Sequence, residues 1–102
     1  MKIILFCAGG LSSSMLVSRI QEAANQRNID CTVQAFGARS FNRLDGADVL
    51  LIAPQVRFMH KTYAQKVKIP YAFIDMSSYG MMNGEAVLDL ALDTMNKAQK
   101  PA

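Results

Sequence analysis

Lys2-Ile3-Ile4-Leu5-Phe6-Cys7-Ala8-Gly9-Gly10-Leu11-Ser12-Ser13-Ser14 is the stretch whose reading decides the fold. From Lys2 to Cys7 the apolar residues run on without alternation, the pattern of a strand buried on both faces of a parallel sheet. Gly9-Gly10 ends the run. From Ser12 to Gln26 the period changes: Leu16, Ile20, Ala23 and Ala24 fall on one helical face, while Arg19, Gln21 and Glu22 turn outward. One of Ser12, Ser13 and Ser14 can cap this helix. The chain therefore opens as a central strand joined by a tight turn to a helix.

Downstream, the same alternation of types continues. Cys31 to Phe36 alternates Cys31, Val33 and Ala35 against Thr32, Gln34 and Phe36, as an edge strand does, and Gly37 marks its end. Phe41 and Leu44 predict a short, weak helix. Asp48-Val49-Leu50-Leu51-Ile52-Ala53 reads as a second fully buried strand, halted by Pro54. A helix is predicted over Arg57 to Lys66. Pro70 opens a last strand from Tyr71 to Ile74. Met76 to Asn83 reads as a polar, methionine-rich loop, and Asn83 caps a final helix whose face carries Leu88, Ala91, Leu92 and Met95.

Four strands alternating with helices through short links predict an α/β fold: a four-stranded parallel sheet with right-handed crossovers and helices on both faces. The order 2-1-3-4, flavodoxin-like, places the two most apolar strands in the centre. The chain order then reverses between strands one and three, so a ligand is expected beyond their carboxyl ends, where Cys7 and Pro54-Gln55 lie. The 102 residues suit a single domain, since domains of about 100 to 150 residues are the commonest.

Composition narrows the classes of function. With 51% hydrophobic and 19% charged residues the chain can build a core, which excludes a disordered reading. The net charge of +3 comes from scattered lysines and arginines with no dense basic run, which argues against nucleic-acid binding. No apolar stretch approaches the ~20 residues that cross a bilayer. The opening apolar run breaks too early and lacks a cleavage signal, so a soluble, cytoplasmic protein is expected. Cys7 and Cys31 match neither a redox pair nor a zinc knuckle, so no metal is implied.

Chemistry concentrates in the first turn. Gly9 and Gly10 let the backbone approach a ligand closely, amides from Ala8 onward can converge on an anion, and the hydroxyls of Ser12, Ser13 and Ser14 add donors. Cys7 at the mouth of such a nest is a nucleophile facing an oxyanion site. A cysteine ending a strand is by itself more often core than catalyst. The combination of strand end, glycine pair and serine triplet is what points to phosphoryl chemistry.

At these residues the pattern Cys-x-x-Gly-x-Ser-x-Ser resembles the IIB proteins of the lactose and cellobiose/chitobiose phosphotransferase family. The likeness continues through Ala47-Asp48-Val49-Leu50-Leu51, Pro54-Gln55-Val56-Arg57-Phe58-Met59, Ile74-Asp75 and Tyr79-Gly80-Met81-Met82-Asn83-Gly84-Glu85. Gly9, Leu11 and Ser13 depart from the family pattern while keeping size or donor chemistry. The resemblance implies that Cys7 accepts phosphate from a phosphohistidine on a IIA protein and passes it to a disaccharide held by a membrane IIC permease. It implies a phosphate-binding loop of Ala8, Gly9, Gly10, Leu11, Ser12, Ser13 and Ser14, no cofactor, and no membrane insertion of this chain. The sugar is not legible, because specificity would lie chiefly in the membrane component.

Two rivals stand beside this reading. A low-molecular-weight tyrosine phosphatase also has a cysteine loop after its first strand, but in the form Cys-x5-Arg-Ser/Thr; Ser13 here occupies the arginine position, so the gripping guanidinium is missing. A flavodoxin-type binding module would need aromatic residues flanking a flavin, and Tyr79 is the only obvious one. Among other residues, His60 reads as a solvated helical histidine and Cys31 as core filling. Arg57 reads as either a phosphate contact or the partner of a helix carboxylate, and Asp75 as either a cap or a residue that orients a loop. Met76, Met81 and Met82 cluster after strand four, and with Tyr79 as anchor they form a possible partner contact, since flexible thioethers suit a face that must fit two partners.

Overall fold

The computed structural model describes residues 1–8 and 12–99. Four parallel strands, β1 (Lys2–Cys7), β2 (Thr32–Gly37), β3 (Val49–Ile52) and β4 (Tyr71–Phe73), form one sheet in the order β2-β1-β3-β4. This is the order expected from placing the most apolar runs centrally. Ile3, Ile4, Leu5 and Phe6 of β1 and all of β3 are sealed from solvent. Each such side chain contributes about 1.5–3 kcal/mol of burial, an upper figure because the unfolded chain is itself partly collapsed. β2 begins at Thr32, one residue later than the apolar pattern indicated, because pairing starts where the Thr32 N–H donates to the Met1 carbonyl at 2.8 Å.

Helices α1 (Ser12–Gln26) and α4 (Gly84–Gln99) pack side by side on one face. A 3-10 turn (Phe41–Arg43), a 3-10 segment (Pro54–Met59) and α2 (His60–Lys66) follow β2 and β3, and the aromatic residues Phe41 and Tyr63 that they carry pack on Phe6. Between the two helical faces, register sorts the sheet side chains. Phe6 pairs with Phe36 and with Ile52, and Ile52 with Phe73, so these four form one row across the sheet. Tyr63 sits on that row, fully buried, with ring centroids 6.0, 6.0 and 6.2 Å from Phe6, Phe41 and Phe73. Aromatic contacts of this kind add about 0.5–1.5 kcal/mol each beyond their area.

Two expectations from the sequence are corrected. The segment 57–66 is not one helix: Pro54 opens a 3-10 segment in which Val56 leaves helical geometry (φ −112°, ψ 22°), and regular helix begins only at His60. The segment 76–83 is not all loop, for Met76–Gly80 forms a short helix, α3. Its residues have little helix propensity of their own. It forms because the Asp75 carboxylate accepts the Ser78 N–H at 2.9 Å and because Tyr79 is buried beneath it. The cap expected at Asn83 is present, its side-chain oxygen accepting the Ala86 N–H at 3.1 Å.

Candidate functional site

Cys7 is the last residue of the central strand and is 2% exposed, whereas Ala8 beside it is exposed. The chain thus passes from core to surface in one step at the carboxyl edge. The neighbours in Cys7's row are small. Its Cα partner on β2 is Gly37, and on the other side the chain continues from Ile52 into Ala53, whose N–H donates to the Phe6 carbonyl at 2.8 Å.

β1 leads through α1 to β2 on one side, and β3 leads through α2 to β4 on the other, so the sheet's switch point lies between β1 and β3. Cys7 and the Pro54-Gln55 turn meet there, as the topology expected. Of the residues expected to cradle phosphate, Ala8 and Ser14 are exposed, and Ser14 lies in the first turn of α1. Gly9, Gly10 and Leu11, and the side chains of Ser12 and Ser13, lie outside the described residues.

The other expectations resolve individually. Cys31 is buried, and burial pushes its thiol upward from the ordinary range, which suits core filling. His60 is exposed at the start of α2. Arg57 pairs with no carboxylate among the described residues; its guanidinium lies 5.7 Å from the centre of the Phe73 ring. Asp75 caps α3, and hydrogen bonds from the Ser78 backbone and side chain hold its carboxyl below the usual range. Tyr79, expected as the anchor of a partner contact, is 7% exposed; Met82 is half-buried with φ +52°, and Met81 is exposed.

A pattern invisible in the sequence now appears. The exposed large apolar residues among those described are Met15, Phe58, Met76 and Met81. Each lies in the segment leaving the carboxyl end of a strand: Met15 after β1, Phe58 after β3, Met76 and Met81 after β4. Met15, Phe58 and Met76 thus follow strand ends on the edge that carries Cys7, whereas Met81 lines a hollow beside α1 with Arg19, Glu22 and Gln26.

Tyr63 was not singled out by the sequence, yet it connects the loops of this edge. Its hydroxyl donates to the Ala38 carbonyl at 2.9 Å and approaches the Met59 sulfur at 3.7 Å, so the chain after β2 and the chain after β3 are held to one phenol. Burial pushes that phenol upward in pKa, Arg39 opposes the shift, and Cys7 adds to it. Both Arg39 and Cys7 therefore lie within electrostatic reach of the same group.

Comparison with known proteins identifies the family. Residues 2–90 match the family model described as PTS system, lactose/cellobiose specific IIB subunit. The galactose-specific EIIB component of Lactococcus lactis subsp. cremoris (strain MG1363) is 42% identical, over 92% of this chain and 95% of that protein. The cellobiose-specific EIIB component of Lactococcus lactis subsp. lactis (strain IL1403) is equally similar, at 42% identity over the same shares. Among solved structures, the cellobiose-specific phosphotransferase IIB component of Borrelia burgdorferi superposes with a TM-score of 0.75 at 38% identity, covering 95% of this chain and 93% of that one.

Proposed function

Because this chain belongs to the lactose/cellobiose-specific IIB subunit family of the PTS, we propose that it is the phosphoryl carrier of a sugar phosphotransferase system, with Cys7 as the carrier residue. In this reading Cys7 takes phosphate from a phosphohistidine on a IIA protein at the cytoplasmic face. It then gives the phosphate to a disaccharide held by a membrane IIC permease. The observation that carries the reading is the position of Cys7: the last residue of the central strand, at the switch point, between Gly37 and Ala53.

The chemistry needs no cofactor. The Cys7 thiol releases its proton to solvent, and the sulfur donates an electron pair to phosphorus as the P–N bond breaks. That bond's electron pair remains on the departing imidazole. In the second step a sugar hydroxyl oxygen attacks phosphorus, the S–P bond breaks, and the thiolate is restored as the hydroxyl proton leaves. On this reading the turn between β1 and α1 is the expected source of donors to the equatorial oxygens, and the start of α1 adds a favourable field.

The test is mass spectrometry after incubation with phosphorylated IIA. Wild type and Cys31→Ser should gain one phosphate, and Cys7→Ser none. A phosphate adduct on Cys7→Ser at the wild-type rate would remove Cys7 from this role.

A further inference from the structure

Charge is distributed unevenly over the fold. Residues 38–68 carry Arg39, Arg43, Arg57, Lys61, Lys66 and Lys68 against Asp45 and Asp48, a net +4, whereas the rest of the chain is net −1. The ion pairs of the described residues lie elsewhere, joining Arg27 to Glu85 and Asp89, and Lys97 to Asp93. The six cations of segment 38–68 are exposed and pair with no carboxylate among the described residues.

Three of them are held in place without a counter-ion. Arg43 lies 5.4 Å from the centre of the Phe36 ring, Arg57 lies 5.7 Å from that of Phe73, and Lys66 lies 5.9 Å from that of Phe41. Stacking restricts the motion of these side chains while leaving their N–H donors open to an incoming anion. Two of the basic residues stand close to the thiol's edge. Arg39 is two residues beyond Gly37, the Cα partner of Cys7, and Arg57 follows the turn leaving β3. Phe58, next to Arg57, is 75% exposed.

We propose that the face formed by the 3-10 turn 41–43, the 3-10 segment 54–59 and α2, with Arg39 and Arg57 flanking Cys7, docks an acidic protein surface surrounding the donor phosphohistidine. This inference rests on the carrier reading and names the chemistry of its first partner. A protein is favoured over a lipid surface because the cations are fixed singly over separate rings and stand beside an exposed aromatic residue, Phe58. Protein interfaces are enriched in arginine, aromatic residues and methionine, and a rigid guanidinium suits a carboxylate of defined position. Steering by such a face raises the encounter rate and keeps the complex transient, as a carrier that must leave one partner for another requires.

The second-order rate of phosphoryl transfer from phosphorylated IIA tests the inference, measured from low to physiological salt. The double variant Arg39→Glu/Arg57→Glu should lower kcat/KM about tenfold or more at low salt and flatten its salt dependence. Lys97→Glu, on the opposite face, should leave both unchanged. Equal rates and salt profiles for the double variant and wild type would overturn the docking face. It would also be overturned if wild type sedimented with phosphatidylglycerol vesicles, the double variant did not, and transfer were the same for both; the face would then meet the membrane. Calorimetric titration with unphosphorylated IIA separates failure of the docking from failure of the carrier reading. Salt-dependent binding lost in the double variant, with no phosphate reaching wild-type Cys7, keeps the face and rejects the carrier. No binding of wild type overturns the face.

Discussion

The Tyr63 hydroxyl donates a 2.9 Å hydrogen bond to the Ala38 carbonyl and so ties α2, from the centre of the aromatic cluster, to the chain leaving β2. The two residues lie on either side of a crossover, and their bond holds Arg39 at the edge that carries Cys7. One buried phenol thus joins the core to the site.

Tyr63→Phe should therefore cost about 0.5–1.5 kcal/mol, the net worth of one hydrogen bond, while keeping the ring contacts. Urea unfolding measures it. The variant should also differ in its alkaline behaviour. The folded-state pKa of Tyr63 is raised above its ordinary 10.0 by burial, so the unfolded chain gives up this proton first. Stability from the protonated phenol is complete below 10.0 and is lost as pH rises towards the folded value. Wild type should lose stability in that window more steeply than Tyr63→Phe.

Gly84→Ala should be destabilising although alanine is the better helix former. A Cβ at Gly84 would stand 2.8 Å from the Arg19 Cβ and still closer to the Arg19 carbonyl group, because α4 begins against the backbone of α1. Overpacking of this kind costs about 1–3 kcal/mol, more than the helix propensity gained. A urea midpoint at or above that of wild type would show that the two helices separate easily.

Asp75→Asn should loosen α3. The depressed pKa of Asp75 means that its stabilising contribution is present above its ordinary 3.8 and is lost as pH falls through the lower folded value. Amide exchange at Ser77, Ser78 and Tyr79 should quicken in the variant at neutral pH. In wild type the protection of these amides relative to their intrinsic exchange should fall only in acid.

Hydrolysis of an aryl phosphate should be negligible, because Ser13 stands where the cysteine-loop phosphatases carry arginine. Loss of one such donor typically lowers rate by about a hundredfold or more. Rapid turnover that vanished in Cys7→Ser, without transfer from phosphorylated IIA, would favour a phosphatase.

Cys31→Ser should cost about 1–3 kcal/mol, since its hydroxyl would be buried in a site shaped for a thiol. It should still accept phosphate. Comparing its urea midpoint with its phosphate uptake separates the structural cysteine from the reactive one.

Much of this was legible in the chain itself. Unbroken apolar runs at Lys2–Cys7 and in Val49–Ile52 can be satisfied only by burial on both faces, and that alone places β1 and β3 in the middle of a parallel sheet. Cys7 at the switch point follows from that order, and the cap at Asn83 follows from a polar residue before a periodic apolar run. These are local or periodic properties. Other features had no such signal. Met76–Gly80 becomes helical because a cap and a buried Tyr79 outweigh weak propensity, and Tyr63 matters because four aromatic rings far apart in sequence converge. The role of Gly84 appears only when α1 lies against it. The basic face had the same character: residues scattered along 38–68 gave no dense run, and three of them became fixed cations only when rings from β2, β4 and the 3-10 turn 41–43 came beneath them. Hydrophobic period and turn chemistry act over a few residues and decide the elements. Which side chains share an edge, a ring or a charge depends on packing between elements, and only the folded chain decides that.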